Sequence, residues 1–220
     1  MERNMKRNTA RHTARNTEET TPSPSRRVPS RRGILVGAAL TAVPAVLASG
    51  TRAGARPRAV DHPGAAWHPA SRRNYTPSNR PRAHPLRYVV IHVAQTTYSG
   101  TLSVFRNPRT KVSAHYVVRS SDGHVAQCVR DSDIAWHAGN WDYNTRSIGI
   151  EHEGWVDRPG YFTDVMYERS ARLTAAICER YDIPRNRAHI IGHHEVPGSD
   201  HTDPGRHWDW KRYLRLVKSA

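Results

Sequence analysis

The chain has 220 residues, with 34 Lys and Arg against 19 Asp and Glu, and a formal net charge of +15. Ten basic and three acidic residues fall in 1–55, leaving 24 and 16 for 56–220, so the charge divides into +7 and +8. The +8 favours a polyanion, but the chain lacks a zinc finger, a glycine-rich RNA-binding signature and a Lys/Arg-dense recognition helix. Nucleic acid is therefore not the expected partner; an anionic cell wall is the other candidate, and export would select it.

Residues 1–29 are polar and rich in Arg, Asn, Thr, Ser and Pro, the composition of a disordered leader. Arg31 and Arg32 then precede a small apolar stretch, Gly33 to Ala48, and Ala53-Gly54-Ala55 fits a cleavage site. This predicts a twin-arginine-type export signal with its leader over 1–55. The alternative is a membrane anchor, but the stretch is short for a span of about 20 residues. No Cys lies nearby to carry a lipid, so no stable membrane anchor is expected. The expected location is secreted, extracytoplasmic and cell-wall associated. The mature chain would start near Arg56 and suffice for one domain. Cys128 and Cys178 read either as a disulfide or as two buried thiols.

Residues 56–85 lack periodicity and predict an extended N-terminal arm, pinned by Trp67 and Tyr75. LRYVVIHV, 86–93, predicts a central strand. Residues 99–107 predict a short helix stopped by Pro108. Two strands, 114–119 and 124–129, flank the turn Ser120-Ser121-Asp122-Gly123. Residues 131–144 read as a loop, 147–154 as a strand and 157–161 as a turn. Apolar residues at helical spacing predict a helix over 163–181. A short strand at 188–192 and a terminal helix at 208–218 complete the chain. The order predicts an α/β fold with a mixed central sheet flanked by helices over 86–220.

The densest chemistry lies in IIGHHEVPGSDHTDPG, 190–205, which holds three His and three acidic residues among two Pro and three Gly. Such a run is a poor helix and a poor strand. His92 and His193 each follow an apolar strand run, and Asp203 sits where a loop returns. Two imidazoles and a carboxylate suit Zn²⁺ with a fourth position open for water. The competing reading is a core histidine at 92 and a metal-free loop network at 193–203. His194 is an alternative ligand, and Glu195 is a candidate to orient a ligand's remaining N–H.

Glu151 and Glu153 share a strand face, with His152 pointing away. Glu151 is the preferred general base, against a plain exposed acidic pair. His201 is a candidate to assist an oxyanion, or else an ordinary loop residue. The loop 134–144 offers Trp136, His137, Asn140 and Trp141 as one wall of a sugar- or peptide-binding groove. Alternatively its tryptophans fill core gaps. His115 reads equally as rim or core.

Five segments in order, VVIHVAQTT, KVSAHYVVRSSDG, AWHAGNW, SIGIEHEG and IIGHHEVPGSDHTDPG, resemble the zinc-dependent N-acetylmuramoyl-L-alanine amidases of the type-2 amidase and peptidoglycan-recognition-protein superfamily. The resemblance implies that fold, one catalytic zinc on His92, His193 and Asp203, the catalytic carboxylate on Glu151 and a transition-state helper at His201. Many relatives carry Lys at the last position, and the tyrosine some carry is replaced by Ala114. His137 becomes a candidate substrate contact. The implied reaction is hydrolysis of the amide joining the muramic acid lactyl group to L-alanine, with peptidoglycan or muropeptides as partners. A peptidoglycan-binding module without catalysis, and a zinc hydrolase for another amide, are the rival functions. The sequence does not set the oligomeric state; a monomer is the default expectation.

Overall fold

The computed structural model describes residues 60–220. The export signal, its leader and the first residues of the arm lie outside the described residues.

Six strands form one mixed sheet: β1 (Ala65–Trp67), β3 (Tyr88–Val93), β4 (Tyr116–Val118), β5 (Val125–Gln127), β7 (Ser147–His152) and β8 (Ile190–Gly192). Their order is β1-β5-β4-β7-β3-β8. β3 pairs in parallel with both β7 and β8, which is why Val89-Val90-Ile91 is an unbroken buried run. Two further strands, β2 (Tyr75–Thr76) and β6 (Ile134–Ala135), form a small antiparallel pair.

The arm is thus more ordered than its composition predicts. Trp67 lies in β1 and Tyr75 in β2, and both strands borrow pairing partners from the domain. Arg80 is the arm's deepest anchor. The residue is 4% exposed, and its guanidinium donates to the carbonyls of Asp131, Asp133, Asn144, Thr145 and Ser147.

Four helices surround the sheet: α1 (Tyr98–Arg106), α2 (Trp141–Arg146), α3 (Asp164–Arg180) and α4 (Trp210–Ser219). α2 corrects the expected loop at 131–144. Asn140 caps it by accepting from Tyr143 N at 3.2 Å, and Asp142 occupies its first turn. α3 starts at the cap Thr163, whose hydroxyl accepts from Met166 N at 3.3 Å.

α3 buries Met166, Leu173 and Ile177 against Ile148 and Ile150 of β7 and Val89 and Ile91 of β3. Each such side chain contributes about 1.5–3 kcal/mol. Tyr213 ties α4 to α3 through Ser170 at 2.8 Å and Thr174 at 2.7 Å. α4 begins later than expected: Trp208 precedes it as a buried plug against Phe162, Tyr167 and Tyr213. Cys128 and Cys178 are buried free thiols in separate core clusters. Burial pushes them up to about 12 and about 11.

Candidate metal centre and active site

Strand alternation sends Val90 and His92 to one side of the sheet and Val89, Ile91 and Val93 to the other. β8 runs beside β3 and releases the chain at Gly192, directly before a short 3₁₀ turn, His193–Glu195. A Cβ at Gly192 would meet the His194 ring and Pro204 at 2.7 Å, so glycine lets the following loop fold back. That return brings Asp203 to the two histidines.

Ligand-capable atoms of His92, His193 and Asp203 all lie within 4.8 Å of one another. His92 Nδ1 is 3.3 Å from Asp203 Oδ2, and His193 Nδ1 is 3.2 Å from Oδ1. All three residues are buried. Burial lowers the His92 pKa. Burial raises the Asp203 carboxyl, but the two facing imidazoles outweigh it and hold the group well below the usual carboxylate range. A buried carboxylate between two buried imidazoles, with His193 Nε2 lacking a hydrogen-bond partner, is a donor set that fits a borderline divalent cation.

His194 is not part of that set. Its N–H and Nδ1 approach the Asp203 carbonyl at 3.1 and 3.0 Å, so it pins the backbone of the returning loop. Glu195 corrects its expected role as well. It accepts from Gly192 N at 2.7 Å and pairs with Arg187, closing the 3₁₀ turn rather than reaching a ligand's ring.

Glu151 is in register with His92 on the adjacent strand. Its Oε2 is buried without a partner, and burial followed by the charge of Asp203 pushes its carboxyl up to about 8. Glu153 turns away from this duty: its oxygens accept from Tyr98 N and Ser120 N, both at 2.9 Å. His201 stands at the mouth, its ring stacked on His193 at 4.0 Å and its Nδ1 3.4 Å from Asp203 Oδ1.

The cleft has two lobes that share Ala94 and Glu151. The larger, about 480 Å³, is bounded by Gln95, Glu151, Asp200, His201 and Asp203. The smaller, about 190 Å³, is mainly apolar, with Phe105, Val112, Trp136 and His137 on its walls. Trp136 donates its indole N–H to Thr76 at 3.0 Å and still faces the lobe. Trp141 is 58% exposed on α2 and lines neither lobe. Asn140 spends its amide on the α2 cap and on Pro197 O at 3.0 Å. His137 presents its ring to the lobe, but both nitrogens are engaged inward, with His92 at 3.0 Å and Ser147 at 3.2 Å. His115 is core: buried against Arg80 at 2.6 Å, it takes the Gly149 N–H at 3.0 Å.

Sequence reasoning missed Asn144, whose buried Oδ1 accepts from His137 N at 3.0 Å and Ala138 N at 2.8 Å and so fixes the His137 loop. It also missed the reason for Gly149, where a Cβ would meet the His137 ring at 2.5 Å.

The sequence family described as N-acetylmuramoyl-L-alanine amidase (Amidase_2) matches residues 82–206. N-acetylmuramoyl-L-alanine amidase A of Achromobacter lyticus is 38% identical over 180 residues, covering 74% of this chain and 98% of the relative. The 1,6-anhydro-N-acetylmuramyl-L-alanine amidase AmpD of Escherichia coli is 35% identical over 150 residues, covering 65% of this chain and 69% of the relative. Among solved structures, an AmpD derivative superposes with a TM-score of 0.58 at 28% identity, covering 70% of this chain and 94% of that one. The complex of the amidase AmiD from E. coli shares the fold at a TM-score of 0.52 and 24% identity, over 60% of this chain and 57% of that one. The chain belongs to the N-acetylmuramoyl-L-alanine amidase family.

Proposed function

We propose that this chain hydrolyses the amide between the muramic acid lactyl group and L-alanine, with zinc on His92, His193 and Asp203 and with Glu151 carrying the proton. The observation that carries the reading is the convergence of two imidazoles and a carboxylate beside a buried, unpartnered glutamate oxygen. Bound there, zinc supplies Lewis acidity that polarises the scissile carbonyl and acidifies water.

Glu151 accepts a proton from the attacking water and returns it to the departing L-alanine amine. Burial, the first cause of the raised Glu151 carboxyl, favours the protonated form that delivers the proton, and a cation held by Asp203 would offset the second cause and favour the base form. His201, at the mouth, donates to the developing oxyanion when protonated. Trp136 and the ring of His137 wall the apolar lobe against the substrate, and the exposed indole of Trp141 on α2 is a further candidate contact.

The substrate is peptidoglycan or its muropeptides, met outside the cytoplasm after export directed by residues 1–55. The arm 56–85 and the domain 86–220 then act as one secreted, monomeric unit. N-terminal sequencing of exported protein should give a start near Arg56; retention of Met1 on the exported form would remove the cleavage.

Release of free stem peptide from muropeptides tests the activity. A chelator should abolish release and zinc restore it. Release that is insensitive to chelation would overturn the metal assignment. A peptide without muramic acid should be a poor substrate, and equal rates on both would point to another amide.

A further inference from the structure

His92 faces Asp203 with one ring nitrogen and His137 with the other, and the polarity of these contacts can be read from the far end. Ser147 Oγ lies 2.5 Å from Tyr143 O and 3.2 Å from His137 Nε2. A carbonyl only accepts, so the single Ser147 hydroxyl proton lies in the short contact to Tyr143. Ser147 Oγ can then only accept from His137, which places a proton on His137 Nε2.

His137 is buried with a hydroxyl and an imidazole as partners and no carboxylate. A buried cation without a counter-ion is costly, so the ring is neutral. Its Nδ1 therefore bears a lone pair, 3.0 Å from His92 Nε2. His92 must supply the proton of that bond. Its Nδ1 is the nitrogen that faces Asp203 Oδ2, 3.3 Å away.

We propose that His137 and Ser147 are positioning residues that preset His92 as the Nε2–H tautomer, so that Nδ1 is the nitrogen offered to the metal. The proposal rests on the zinc site proposed above. Two backbone features hold the relay. Asn144 fixes the His137 main chain, and Gly149 leaves room for the ring over β7. The opposite polarity, from Ser147 toward Asp203, would strip the Tyr143 carbonyl of its 2.5 Å donor. A ligand's outer hydrogen bond fixes its tautomer and ring angle, and losing such a partner costs about 10–100-fold in metal affinity.

The test is a long-range ¹H–¹⁵N correlation spectrum of the imidazoles, recorded on the full chain both zinc-loaded and stripped of metal. His137 should carry its proton on Nε2 in both states, and zinc-loaded His92 should carry its proton on Nε2. A His137 proton on Nδ1 in either state, or zinc on His92 Nε2, would overturn the proposal. Failure to take up zinc at all would instead overturn the underlying site, and the stripped spectrum would still report the His137 tautomer.

Ser147→Ala should weaken zinc binding about 10-fold or more, measured by competition with a chelating dye. Ser147→Thr, which keeps the hydroxyl, should restore it. Unchanged zinc affinity in a folded Ser147→Ala protein would overturn the role of Ser147. If that variant does not fold, the threonine variant and the wild-type spectra decide.

Discussion

His152 and His92 sit on neighbouring strands, His152 in register with Val93 and His92 with Glu151, one on each face of the sheet, and both are buried. His152 faces α3 and spends both nitrogens, on His92 O at 2.8 Å and Ser170 Oγ at 2.6 Å. On the cleft face, His193 Nε2 and Glu151 Oε2 have no hydrogen-bond partner. Residue type and burial therefore do not separate a core histidine from a site histidine. Among the histidines, unspent bonding capacity separates His193 from His152, because a buried polar atom without a partner costs about 1–3 kcal/mol unless something else takes it up. The helix face should consequently govern stability, and the cleft face metal and rate.

The largest test of that division is Asp203→Ala. It should lose bound zinc, and stem-peptide release should fall to the level of the chelated enzyme, as metal analysis beside the release assay would show. Zinc retained at one equivalent would break the ligand assignment. Glu151→Gln comes next. It should keep its zinc while the rate falls about 10²–10⁴-fold, the usual worth of a positioned proton carrier. Normal turnover would remove Glu151 from the chemistry.

On the other face, Leu173→Ala should cost about 2–5 kcal/mol in denaturant unfolding. Zinc affinity of the folded protein should not move. A large loss of affinity would mean that the faces are coupled through the sheet.

The smallest effect is pH-dependent. Asp131 accepts from Tyr116 at 2.7 Å and Tyr181 at 3.0 Å, beneath the end of α3. Burial, then the charge of Asp61, pushes its carboxyl up to about 6. An unfolded Asp titrates near 3.9, so between these values the folded chain binds more protons than the unfolded one. This contribution is fully present below about pH 4 and is lost as pH rises through about 6, about 2–3 kcal/mol at most. Asp131→Asn should flatten that slope in pH-dependent melting curves, leaving the pH dependence of zinc binding unchanged.

Much of this was legible in the sequence, for identifiable reasons. VVIHV announces a buried parallel strand because its apolar run is unbroken. The periodicity over 163–181 marks α3 to within a residue or so at each end. The ligand-type residues of 190–205 stand out because so many are gathered in one Gly/Pro-rich run, although the fold spends His194 and Glu195 on the loop itself. α2 escaped because six residues cannot show helical periodicity, although Asn140 and Asp142 carry its cap and first-turn charge. β1 and β2 escaped because two or three residues pairing at an edge leave no alternation to read. Asn140 and Glu195 each put a side-chain group into backbone contacts that no sequence pattern announces. The direction of the His92–His137–Ser147 bonds lies outside any sequence pattern, since it follows from which of two distances is shorter.

The anchoring of Arg80 bears on where this protein can be trimmed. The family match begins at residue 82, two positions after the guanidinium that serves five carbonyls of the loop, α2 and β7. It ends at residue 206, before all of α4 and the Tyr213 tether. A fragment cut to those limits would keep every proposed ligand. It would also leave Asn144, and with it the backbone under His137, without the clamp that seats them. The edges of the family match are not the edges of the packed unit.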